Sequence, residues 1–184
     1  MAGRRIKARF RTAKGNPNHN DNTYENERSE HVIEKEKSKE NIYMSWTPDG
    51  IRRIPGGQRK LYQYEMEYCE KYFREGLDKR NKNYENKGKK DSIKTMEKYR
   101  KDNIDEAIFQ IGKQAEREDG TVDDEALQKI MGEIGGIIEK QNPKSEIKTT
   151  SMALHKDEES VHLHIRYAMM NKDQDGQWCV NRKG

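Results

Sequence analysis

Apolar and polar residues alternate with a period of two at both ends of this chain, and between them the spacing changes to three and four. Near the start, Ile6, Ala8 and Phe10 interleave with Arg5, Lys7, Arg9 and Arg11, which predicts a strand with one buried face. Gly15-Asn16-Pro17-Asn18 breaks it, and a long polar tract follows. Ile42 to Trp46 predicts a short strand, ended by Pro48-Asp49-Gly50. Leu61, Tyr64, Met66, Tyr68, Tyr72, Phe73 and Leu77 then recur at helical steps among Glu, Lys and Arg, predicting an amphipathic helix over 58–82 whose aromatic stripe faces the core. Residues 81–90 read as a lysine- and asparagine-rich linker, and Asp91-Ser92 as the cap of a short helix ending near Arg100. The run from Ile104 to Gly112 predicts a strand, and residues 121–141 a further helix stopped by Asn142-Pro143.

The last third carries the chemistry. Ile147, Thr149, Ser151, Ala153 and His155 share one parity, and so do His162, His164 and Arg166, while Leu163, Ile165 and Tyr167 take the opposite face. If 156–161 is the connection of an antiparallel hairpin, His155 stands beside His162 and His164. Three of the five histidines then converge on one patch of sheet. A strand histidine is most often a surface or satisfied residue, and His-x-His also arises by chance. The third histidine and the shared parity favour a metal site. A structural zinc site usually recruits cysteine, and Cys69 and Cys179 are both distant in sequence, so three neutral nitrogens fit better with a catalytic divalent ion that keeps positions open.

The element order predicts an α+β fold, with an antiparallel sheet carrying the His-x-His strand and helices packed on it. The expected organisation is one domain over 1–184: a basic strand at 1–14, a loop segment at 15–50, a mainly helical part with a short strand at 58–142, and a hairpin with its following strand at 146–180. Only 30% of residues are hydrophobic and 38% are charged, so the core is thin for 184 residues. The net charge of +4 matters less than its distribution, because residues 1–14 hold Arg4, Arg5, Lys7, Arg9, Arg11 and Lys14 without an acid. Such an arm suits a phosphate backbone, or equally a solvated edge strand. Two distant cysteines, no secretory leader and no run near the ~18 apolar residues of a membrane span point to a cytoplasmic protein.

His155-Lys-Asp157-Glu158-Glu-Ser160-Val161-His162-Leu-His164 resembles the metal motif of MobV/Pre-type plasmid mobilisation relaxases, in the HUH endonuclease superfamily, which reads roughly His-x-Asp-Glu-x-Thr-Pro-His-x-His. Ser160 and Val161 stand where Thr and Pro are usual. His19-Asn20-Asp21-Asn22, followed by Glu30-His31 and by Asn41-Ile42-Tyr43, is similar to that family's first motif, His-Asn-x-Arg, except that Asn22 replaces the arginine. The resemblance implies an HUH relaxase-like fold and an endonuclease that nicks one DNA strand at a plasmid transfer origin, single-stranded or extruded, and holds the end covalently. It implies a divalent ion, Mn2+ or Mg2+, on His155, His162 and His164, and a nitrogen-rich ligand set leans towards manganese. In this branch the first-motif histidine, here His19, is the nucleophile, with Tyr24 the next candidate. Glu158 would accept a hydrogen bond from a ligand imidazole or act as general base, and Asp157 would shape the turn. Arg9, Arg11, Asn20, Arg28 and Arg166 would contact DNA. Relatives continue beyond this length, so the chain is expected to be the N-terminal part of a longer protein, its oligomeric state open, with dimerisation through a missing C-terminal region as one option. Two other readings remain: a DNA-binding relic disabled at Asn22, and a hydrolase of another phosphate substrate.

Overall fold

The computed structural model describes residues 8–13, 37–55, 60–111, 146–157, 161–172 and 178–180, together with isolated helical positions at 129, 132 and 133. The strands are β1 (Ala8–Ala13), β2 (Ile42–Thr47), β3 (Gly50–Ile54), β4 (Ile104–Ile111), β5 (Glu146–His155), β6 (His162–Lys172) and β7 (Trp178–Val180). Two helices, α1 (Leu61–Asn86) and α2 (Met96–Asn103), lie between β3 and β4. Every strand pair is antiparallel, in the order β1-β4-β6-β5-β2-β3, and β7 pairs with β6 beyond the end of β4. The fold is α+β, as the element order predicted. The expected helix over 121–141 falls almost wholly outside the described residues.

β6 is central because its alternation suits a strand with two occupied faces. Leu163 and Ile165 join Ile42, Ala107, Met152, Leu154 and Val161 in one apolar cluster, with Phe109 and Tyr167 packed at its margin. On the histidine face, Ala168 and Met170, with Ile104 of β4, meet the two helices through Tyr68, Cys69, Phe73, Leu77, Met96 and Tyr99. A third cluster, Tyr43, Ile54, Leu61 and Ala153, seats the start of α1 on β2, β3 and β5. The helix therefore lies on the face that bears the histidines.

Three local expectations change. α1 starts at Leu61, where the Gln63 side chain accepts a hydrogen bond from the Lys60 N–H at 3.1 Å. It also runs into the expected linker as far as Asn86, and Gly88 at φ +67° supplies the left-handed position that ends it. Asn81 explains the extra turn, since its side-chain amide bonds both the carbonyl and the N–H of Lys94, at 2.9 and 3.1 Å. The cap of α2 is Thr95, whose hydroxyl accepts from Lys98 N–H, while Asp91-Ser92 belongs to a short 3-10 turn.

The third change is in β5. A register shift between Thr149 and Ser151 makes Thr150 an extra residue. Its hydroxyl donates to the Arg166 carbonyl at 3.2 Å, and its carbonyl accepts from Ser45. The bulge breaks the single parity expected from Ile147 to His155, because Ile147 and Thr149 pair with Met169 and Tyr167, whereas Ser151, Ala153 and His155 pair with Arg166, His164 and His162.

Candidate metal and DNA-processing site

Register alone assembles the patch. His155 and His162 are direct cross-strand partners where β5 enters the turn and β6 leaves it, and His164 sits two residues along, opposite Ala153 and Ile108. Ring centroids are 5.3 Å apart for His155 and His162, 5.2 Å for His155 and His164, and 4.8 Å for His162 and His164. Three imidazole nitrogens on one ion at ~2.0–2.1 Å would set ring centres roughly 4.5–5.3 Å apart, so the span and the donor chemistry fit a divalent metal. Among the described residues no group of three or more His, Cys, Asp and Glu side chains, these three rings included, stands in an arrangement that could hold a metal ion as it is. The rings of His155 and His162 lie within 17° of parallel. His162 is only half-buried while His155 and His164 are buried, so His162 is the ring with room to turn.

Behind the patch lies a buried chain of ionic groups. His164 Nδ1 is 2.6 Å from Glu106 Oε1, and the other oxygen of Glu106 accepts from Arg166 Nη1 at 3.1 Å. Arg166 also donates from Nε and Nη2 to the two oxygens of Glu65, at 2.6 and 3.0 Å. Arg100 of α2 donates to Glu65 as well. Glu65, Glu106, Arg100, Arg166 and His164 are between 1% and 3% exposed. Two guanidinium groups therefore face two carboxylates in this chain. Burial pulls the Arg166 pKa down, but Glu65 and then Glu106 outweigh it and hold it above its ordinary value. The contact with Glu106 favours a proton on Nδ1 and leaves the lone pair of His164 on Nε2.

A second set of contacts holds His155. Asp157, 1% exposed, brings Oδ1 to 3.7 Å from His155 Nδ1, so it is a buried partner of the imidazole as well as a turn residue. Asn41, 6% exposed, accepts from the Lys156 N–H at 2.7 Å across 115 positions of sequence and donates to the Tyr43 hydroxyl at 3.3 Å. The Tyr43 ring meets His155 edge-on at 6.4 Å. The Asn-Ile-Tyr segment singled out in the sequence is thus pinned to the histidine end of the hairpin. Asn41→Ala strands the buried Lys156 N–H and should cost about 1–3 kcal/mol, read as a lower denaturation midpoint.

The profile of a family described as plasmid recombination enzyme, Mob_Pre, matches residues 58–183, more than half of the chain. The chain belongs to this family. No curated protein and no solved structure matches it. As a member of the plasmid recombination enzymes it falls among proteins that act on DNA, and no helix among its described residues is long and apolar enough to cross a membrane.

The matched region contains α1, α2, β4, β5 and β6, and with them the three histidines and the whole ionic chain. His19, Asn20, Tyr24 and Arg28 lie outside both the match and the described residues, and Glu158 lies within the match but outside the described residues. Arg11 is exposed on β1, and Arg9 is on the same strand, opposite Gln110. Arg166 shares the histidine face, is 1% exposed, and has both ends of its guanidinium on carboxylates.

Sequence reasoning passed over Glu65 and Glu106. Both carried a signal. Glu65 lies four residues from both Leu61 and Cys69, in phase with the buried stripe, and Glu106 shares parity with Ile104 and Ile108 in β4. Cys69 is fully buried on the same stripe, and burial pushes its thiol far above the usual cysteine range, so it takes no part as a nucleophile.

Proposed function

We propose that this plasmid recombination enzyme is a relaxase that nicks one strand of plasmid origin DNA, with a divalent ion, Mn2+ in preference to Mg2+, held by His155, His162 and His164. The observation that carries the reading is the convergence of the three rings within 4.8–5.3 Å, on a hairpin inside the matched region. When bound, the ion supplies positive charge that stabilises the scissile phosphate during displacement. The chain's own residues do the rest. His164 presents Nε2 from a fixed ring, and His162, at the solvent side, lines the approach of the strand. Glu158 accepts a hydrogen bond from a ligand imidazole N–H or serves as general base.

His19 is the nucleophile in this reading, with Tyr24 as the alternative. An imidazole nitrogen forms a bond to phosphorus, the bond from phosphorus to the 3′ oxygen breaks, and that oxygen leaves as a hydroxyl after taking a proton from solvent. The 5′ end stays on the protein as a phosphoramidate, available for rejoining. Arg9, Arg11, Asn20 and Arg28 track the backbone, so affinity should fall steeply with added salt.

Labelled single-stranded oligonucleotides tiling the DNA that flanks the gene, incubated with the protein and Mn2+, test this directly. A discrete nick and a denaturant-resistant protein–DNA adduct are expected, both lost with EDTA and with His19→Ala. Tight binding without any adduct would instead favour a non-catalytic DNA-binding protein, which is the reading that Asn22 at the arginine position of the motif supports.

A further inference from the structure

Orienting a ligand histidine needs one acceptor on its second nitrogen, and a backbone carbonyl is enough. This protein instead commits four further ionic side chains, from four elements, to the chain behind the ring of His164. Glu106 comes from β4 and stands directly opposite Arg166 on β6. Glu65 comes from α1, and Arg100 from α2 binds Glu65 in turn. Burying such a network contributes little to stability compared with apolar side chains of the same volume, because desolvation offsets the attraction. The stripe around it shows that apolar packing was available, since Leu61, Cys69, Phe73 and Leu77 fill the same face of α1.

We propose that Glu106 is a positioning residue for His164, fixed in turn by Arg166 and Glu65. The docking of α1 on the sheet thereby sets the ring orientation and tautomer that this ligand presents. The inference rests on reading the three-histidine patch as a divalent-metal site. Geometry supplies the reason for a relay. A carboxylate on the central β4 strand with no second partner could swing between rotamers, whereas Arg166 ties down the oxygen that His164 does not use, and two oxygens of Glu65 hold that guanidinium in plane. At His155 the facing carboxylate is Asp157, with Oδ1 3.7 Å from Nδ1.

The test combines the tautomer of His164, read from imidazole 15N shifts in the metal-free protein, with Mn2+ affinity by calorimetry. Wild type should carry its proton on Nδ1. Glu106→Gln keeps an acceptor of the same shape and should retain that tautomer, with affinity within a few-fold of wild type. Glu106→Ala should mix the tautomers and weaken Mn2+ binding by about 10–100-fold while circular dichroism stays native. A proton on Nε2 in wild type overturns the proposal whether or not any variant folds, and so does unchanged Mn2+ affinity in Glu106→Ala. A wild type with the Nδ1 proton that binds no Mn2+ upholds the orientation of His164 and removes the metal reading alone.

Discussion

Arg166→Met should lower the stability of the protein by about 3–5 kcal/mol, a large share of the ~5–15 kcal/mol typical of a folded domain. The side chain is 1% exposed and makes three hydrogen bonds to two carboxylates. Methionine fills the volume but takes from Glu106 the guanidinium that Arg166 supplies, while Glu65 keeps Arg100. An uncompensated buried carboxylate either takes up a proton or drags water inward, and both weaken the seat of α1 on the sheet. A denaturation curve against wild type gives the value. Arg74→Ala is the control. Its partners Glu70 and Asp78 are on the helix surface, with side chains about half exposed, so the loss should be about 0–1 kcal/mol. If the two variants melt together, the buried network is not what holds the helix to the sheet.

His155→Ala should abolish metal-dependent nicking with little loss of secondary structure. His155 is fully buried, yet it sits at the very end of β5, so the strands lose one cross-strand contact rather than a core. Its effect on the metal is greater. Removing a partner behind a ligand costs roughly 10–100-fold in affinity or activity, and removing the ligand itself should cost more than that. Adduct formation on the labelled oligonucleotide, together with circular dichroism, separates the two effects. Retained nicking in a folded His155→Ala protein would remove this residue from the site.

The hairpin was legible because its chemistry is local. Seven positions separate His155 from His162, the alternation is regular, and antiparallel register places them side by side without help from distant sequence. The stripe of α1 was legible for the same reason. The bulge at Thr150 was not, since its partners are the Arg166 carbonyl and the Ser45 hydroxyl, set by neighbouring strands. Nor was the length of α1, because Asn81 stabilises the extra turn through a loop 13 residues away. The burial of Arg166 was not legible either, because sharing a face with the histidines says nothing about cover, and the cover is α1, carrying Glu65 to meet it. Glu106 could have been read: an acid between Ile104 and Ile108 in a strand faces inward and needs a cation. The first motif, with His19, remains as the sequence left it.

The most direct measurement is Mn2+ binding by the purified chain, followed by loss of the free-ion electron paramagnetic resonance signal. One Mn2+ per chain is predicted for wild type, lost in His155→Ala, His162→Ala and His164→Ala alike. A wild type that leaves the free-ion signal untouched, or histidine variants that bind as wild type does, would contradict the three-histidine site on which the proposed chemistry depends.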